Sequence, residues 1–348
     1  MSRFRRSWLA SAKRFQIAEV AQADWSLFLE SAVGSSTFSS VEWVQDAAQA
    51  MEAQASESRA TGAQARFLGA WDGDRLLAGV AGVVSGKGWR QRFSTPPLFP
   101  HTGILYRPLA TNRPAHIESE RSAATAALVD SLCRQFTRTH LTHTPAFTDT
   151  REFLWAGWDV QPRYTYHIDL PDDRSKVWDG FERRTRTAVR KAEKTGFHVE
   201  PATDVTELRR LYGLVYGGEH NAPVPGATLQ HLTELAAAGG RVQGWQCLAP
   251  TGETASVVFF VADGDTLCAW VAGANPDHRD SGATSLIYWH VLQTTSCRRF
   301  DFVGANLASI AFFKRGFGGN LVPYFSTEGF GSSGLRTLAG LQRAVRRS

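Results

Sequence analysis

Two hydrophobic periods alternate along this chain, and the alternation runs through twice. Residues 15–20 are short and apolar enough to open a sheet. From Asp24, Trp25, Phe28 and Leu29 fall on one helical face. Ser39 or Ser40 stands as an N-cap before Val41, Val44 and Ala48 at helical spacing. Apolar runs at 66–71 and 76–84 flank Asp72-Gly73-Asp74, the pattern of a hairpin. A proline-rich loop at 93–108 leads into 103–106, residues 114–138 read as mostly helix, and 142–147 as a short strand. Residues 164–170 then read as a strand able to join two sheets.

The order recurs in the second half. The spacing predicts helices at 177–195, closed by Gly196, and at 205–216. It predicts a meander at 241–248, 255–262 and 267–272, with turns at Thr251-Gly252 and Asp263-Gly264-Asp265. A helix at 281–296, a strand at 299–303, a helix at 306–315 and a closing strand at 321–327 follow. No residue-level repeat accompanies this shared order of helices, meander and helix–strand. The fold class is α/β (α+β), with mixed, mostly antiparallel sheets flanked by helices.

Length agrees: 348 residues suit two domains at about 100–200 residues each. The acidic, proline-containing stretch from Leu170 to Asp173 marks the break. The expected organisation is a basic tail at 1–14, modules at 15–170 and 171–330, and a basic tail at 331–348. Charge sharpens this picture. The net +5 belongs to the ends, because 1–14 carry five cations and 331–348 four, with no acid in either, so the body is net −4. A basic body made for nucleic acid is thereby disfavoured; the tails are either solvated or touch an anionic surface. Cys133, Cys247, Cys268 and Cys297 are scattered without metal-ligand spacing, so no metal is expected. No apolar run spans a bilayer, and the basic N-terminus lacks the apolar core of a secretory signal. The expected location is cytoplasmic, with the tails offering peripheral contact at the inner face of a membrane.

Candidate chemistry concentrates late in the chain. In residues 306–319, Leu307, Ile310 and Ala311 form one helical stripe and Lys314 falls inside it. An inward ammonium must find acceptors, line a polar cavity or lose its proton. It is either a lysine snorkelling at a helix end or a cation that steadies a developing oxyanion. The chain holds only 6 Lys against 32 Arg, which weighs slightly against chance placement of one there. Asp301, on the strand before it, pairs with Lys314 or caps a turn. The segment Arg279 to Thr284 opens a helix through Gly282, a turn type able to take a phosphate or only an ordinary loop. On the helix after Phe181, Arg183, Arg186, Arg190 and Lys194 share one face, either solvated or tracking a phosphate backbone. No aromatic interleaves on that face, so base stacking is not indicated. His101 and Tyr106 border the proline-rich loop and are candidates for an acceptor pocket. No serine–histidine–aspartate order, P-loop, GxGxxG or HExxH occurs.

The segments 183–200, 281–293, 298–304 and 310–324 together resemble, in order and spacing, the second module of Fem-type peptidyltransferases and related tandem GNAT N-acyltransferases. The first half resembles them in architecture only. The resemblance implies two GNAT-like modules. It also implies transfer of an aminoacyl group from aminoacyl-tRNA to an amine of a peptide or cell-wall-precursor-like acceptor, without cofactor or covalent intermediate. The family's lysine maps onto Lys314 and its preceding aromatic onto Phe313; Asn306 opens the same segment and is grouped with the acceptor side. Arg279 with Gly282 and the Arg183–Lys194 face would hold the donor. Two departures matter. Phe312 and Phe313 stand where simple acetyltransferases often carry an acidic tyrosine, which disfavours acetyl-CoA chemistry. No heptads between 211 and 240 supply the coiled-coil arm of some members. Acyl-CoA as co-substrate, in polysaccharide or secondary-metabolite synthesis, is the alternative, and a binding scaffold without chemistry is a third reading. Lys314→Met is expected to lower turnover about ten-fold or more with little change in thermal stability, read by steady-state kinetics beside a melting curve.

Overall fold

The computed structural model describes residues 14–55, 62–218 and 221–331. Its first elements are β1 (Gln16–Glu19), α1 (Gln22–Leu29), α2 (Val41–Ala55), β2 (Gln64–Asp72), β3 (Arg75–Ser85), β4 (Arg92–Ser94) and β5 (Leu105–Tyr106). Then come α3 (Pro114–Gln135), β6 (Arg138–Thr142), α4 (Arg151–Trp155), β7 (Asp159–Asp169), α5 (Ser175–Gly180), α6 (Arg183–Lys194), β8 (His198–Pro201), α7 (Val205–Val215) and α8 (Gly226–Ala238). The chain closes with β9 (Gln243–Leu248), β10 (Thr254–Asp263), β11 (Thr266–Ala274), α9 (Ala283–Thr294), β12 (Arg299–Asp301), α10 (Ala308–Arg315) and β13 (Asn320–Phe330).

Two compact units divide these elements, one up to Pro162 and again from Tyr324, the other from Arg163 to Pro323. The dividing positions fall inside β7 and β13, whereas acid and proline had suggested a break after Leu170. In the first unit β1, β2, β3 and β4 run antiparallel in that order, β4 pairs β6 in parallel, and β6 pairs the end of β13 antiparallel. In the second unit β8, β9, β10 and β11 run antiparallel, β11 pairs β12 in parallel, and β12 pairs β7 antiparallel. The shared order read from the sequence is thus a shared strand topology.

Burial follows the sequence pattern. β3 and β10 are buried along nearly their whole lengths, which matches their unbroken apolar runs and marks them as strands covered on both faces. The helix expected at 177–195 is two helices. Phe181 is extended and Glu182 takes the N-cap of α6, and Phe181, 2% exposed, is driven into the core. α4, β8 and α8 are additional elements; α8 buries Leu229, Leu232 and Ala236, a helical spacing visible in the sequence. Among the described residues no helix is long and apolar enough to cross a membrane. The basic tails lie outside the described residues apart from Gly331 and Arg14, and the Arg14 guanidinium binds both Asp72 and Glu120.

The second unit's core is aromatic. Phe300 is fully buried, with ring centroids 4.9 Å from Phe302, 6.0 Å from Tyr288 and 6.1 Å from Phe260. Phe300→Ala is expected to cost about 3–5 kcal/mol of stability, since so crowded a site collapses poorly around a lost ring. Chemical denaturation of the full chain measures it.

Candidate active site

The site is built where β11 and β12 part. The two pair in parallel only over Thr266–Cys268 and Arg299–Asp301. β12 stops at Asp301 while β11 continues to Ala274, and a bulge at Trp270 offsets its register against β10. Beyond β12 the chain turns sharply: Val303 has φ +52° and Gly304 +86°. Glycine takes that conformation freely, whereas for a β-branched valine it is strained. Something must hold it.

Lys314 holds it. Its ammonium donates to three backbone carbonyls, Phe302 O at 2.7 Å, Gly304 O at 2.6 Å and Val303 O at 3.3 Å. All three N–H bonds are engaged, two of them at short distance. The lysine is half-buried, and burial pushes its pKa down to about 8 against an opposing pull from the Asp301 charge.

Asp301 lies beneath the turn, 6% exposed. Its Oδ1 accepts from the Thr165 hydroxyl at 2.5 Å and from Val303 N–H at 2.8 Å, and Oδ2 lies 3.3 Å from His167 Nε2. Burial alone would raise this carboxyl; His167, Thr165 and the Val303 amide outweigh it and hold it below the ordinary carboxylate range. Of the two sequence readings, turn capping is the observed one, with Lys314 influenced by charge rather than direct pairing. Thr165 also accepts Gly304 N–H at 3.2 Å, and Asn306 Oδ1 accepts Tyr164 N–H at 2.9 Å. Thr165 and His167 were missed from sequence, although β7 carries them two residues apart, on one face of the strand.

The helix that supplies Lys314 is unlike the one predicted. α10 buries no residue, and Leu307 and Ile310 are 63% and 38% exposed. Leu307 and Ile310 of the expected inward stripe therefore face outward, Ala311 packs against the core, and Lys314 turns in by the reach of its side chain. Phe313 packs on the core, 6.0 Å from Tyr288 and 5.3 Å from Phe317, so it is a wall of the core rather than an open pocket. Phe312, 55% exposed, is clamped by Arg184 at 3.4 Å from its ring centroid and Arg315 at 5.3 Å, both guanidiniums being bound by Glu182.

The other candidates separate. Gly282, the N-cap of α9, has φ +87°, and a Cβ there would collide with the Ala188 carbonyl of α6. Ser281 Oγ already accepts the first free amide, Ala283 N–H, at 3.1 Å. That face of the turn is filled by α6, and Arg279 is left exposed beside it. On α6, Arg183, Arg190 and Lys194 are exposed, but Arg186 donates to the carbonyls of Asp179 and Phe181 and so braces the chain before the helix. Against expectation an aromatic does meet the basic face: the Arg190 guanidinium lies 5.4 Å from the Trp178 ring centroid. His101 and Tyr106 belong to the first unit's interior, each 8% exposed, with the Tyr106 hydroxyl 2.6 Å from Thr125 Oγ1. Lys314 belongs to the other unit.

Residues 180–315, which span the basic helix, the α9 turn and Lys314, match the acetyltransferase (GNAT) domain. That stretch therefore carries a GNAT-like domain, and the whole chain has the fold of two GNAT-like modules in tandem. Its fold is that of FemX, at a TM-score of 0.58 and 12% identity over 89% of this chain and 96% of that one. It is equally that of a tandem GNAT protein from the clavulanic acid biosynthesis pathway, at a TM-score of 0.53 and 12% identity over 91% of this chain and 99% of that one. A conserved protein of unknown function from Bacteroides thetaiotaomicron shares it at 0.52 and 11%, over 90% and 99%. No curated protein sequence matches the chain.

The carbonyl clasp revises one expectation and adds another. Lys314→Met leaves three carbonyls of a strained turn without their donor, so a stability loss of about 1–3 kcal/mol accompanies any kinetic effect. Because the folded lysine releases its proton near pH 8 and the unfolded one near 10.5, the folded state binds fewer protons between those values. Unfolding free energy is then expected to rise from about pH 8 towards 10.5 in the parent and not in Lys314→Met, read by denaturant titration at each pH.

Proposed function

We propose that this chain is an acyltransferase that forms amide bonds by moving an aminoacyl group from aminoacyl-tRNA to the amine of a peptide or cell-wall-precursor-like acceptor. The ammonium of Lys314, held at the end of β12 inside the GNAT domain, carries the reading. The acceptor amine adds to the ester carbonyl carbon and the carbonyl π pair moves onto oxygen. Collapse breaks the bond to the ribose oxygen, which leaves with the proton the amine sheds. The developing oxyanion needs a fixed donor. Lys314 supplies one by turning towards it the N–H that reaches Val303 O at 3.3 Å, the longest of its three bonds, while Phe302 and Gly304 keep the ammonium in place. Asp301 acts as a positioning residue, fixing the turn whose carbonyls orient the lysine.

Two observations favour the tRNA donor over acyl-CoA. α6 packs against the Gly282 Cα and Ser281 Oγ takes the Ala283 amide, which leaves a pyrophosphate less of this turn to bind. The exposed cations Arg183, Arg190 and Lys194 lie along one helix face with no ion-pair partner among the described residues, an arrangement suited to a phosphate backbone. The resemblance to Fem-type enzymes points the same way.

The test offers the purified chain a lysine-bearing peptide with either aminoacyl-tRNA or acyl-CoA. Loss of the tRNA ester that depends on the peptide, and falls about ten-fold or more in Lys314→Met assayed well below its melting temperature, is the expected result. Consumption of acyl-CoA with charged tRNA untouched would overturn the donor and leave only the acyltransferase.

A further inference from the structure

Away from Lys314, a groove of about 330 Å³ opens between α5, α6 and α9. Its floor is two tryptophans, Trp178 and Trp289, with ring centroids 4.8 Å apart and planes tilted by 43°. Both are half-buried, packed on one side against the aromatic core and left with ring surface on the other. Arg174 closes one wall and is fixed there, donating to Thr295 O at 2.9 Å. At the rim stand Arg190, Glu193 and Gln293, all exposed. None of the three side chains has a hydrogen-bond or ion-pair partner among the described residues; the Arg190 guanidinium meets only the Trp178 ring.

This combination selects its ligand. Indole surface takes a flat ring. A carboxylate and an amide at the rim read donors and acceptors on a ring edge. The cation at the mouth begins a row that runs along α6, with Lys194 one turn beyond Arg190 and Arg183 two turns before it. A neutral sugar would use the indoles and the carboxylate but would leave that row idle. A stacked base joined to a phosphate backbone uses all of it.

We infer that this groove seats one unpaired nucleotide of an RNA, its base against Trp178 and Trp289 and its neighbouring phosphates on Arg190 and Lys194. The inference rests on the tRNA donor proposed above and names a contact that the transferred ester does not touch.

The experiment titrates the full chain with a single-stranded RNA tetranucleotide bearing no amino acid, reading tryptophan fluorescence. Saturable quenching that weakens with added salt is expected. Arg190→Glu, an exposed change that leaves the core alone, should weaken binding about ten-fold or more. Trp289→Ala should do the same and Trp289→Phe should restore most of it. Lys194→Gln should lower the slope of log affinity against log salt by about one. Unchanged affinity in Arg190→Glu and Trp289→Ala would overturn the groove assignment, as would quenching by N-acetylglucosamine that the tetranucleotide cannot displace. The two proposals fail separately. Ester consumption from charged tRNA with no effect of the groove variants removes only this contact. Groove-dependent binding without ester consumption removes only the donor.

Discussion

A buried ammonium and a strained turn each need what the other has. Past β12 the backbone enters the left-handed region at Val303 and Gly304, and their carbonyls, with that of Phe302, point to one place. Unmet, that conformation costs of order 1–3 kcal/mol at a valine. Lys314, unmet, could not stay ionised where it is. Joined, the two hold α10 onto the sheet although that helix buries no residue of its own. The outer ties are also polar or aromatic: Glu182 binds Arg184 and Arg315, and these flank Phe312. The end of the GNAT domain is therefore organised by electrostatics more than by burial.

Much of the frame was readable because it depends on local periodicity. The unbroken apolar runs of β3 and β10, and the two Asp-Gly-Asp turns, fall where the sequence placed them. The order of elements even exposed the repeated topology. What escaped has a physical cause in each case. The break between α5 and α6 leaves helical spacing intact on both sides, so period alone cannot see Phe181 turning into the core. On α10, period put Leu307 and Ile310 inward with Lys314. The helix is too short and too thinly covered to obey, and the lysine faces in because a long side chain can reach carbonyls that an aliphatic stripe would shun. Asp301 was singled out, but its partners Thr165 and His167 lie more than 130 residues earlier and meet it through the register of β12 on β7. The Trp178–Arg190 contact was invisible for a like reason: the aromatic comes from a neighbouring helix, while the sequence shows only the face that carries the cations.

The first unit finishes its sheet with a strand that returns from beyond the second unit. The parallel strand β6 of the first unit is covered by β13, more than 180 residues downstream. During synthesis the first unit must wait, with the outer edge of β6 unpaired, until almost the entire second unit has left the ribosome. An open edge is a template for unwanted pairing. The late return of the chain makes the first unit's completion depend on the second unit having been made, so a nascent chain cut short after β12 would expose a sticky edge instead of leaving one finished module behind.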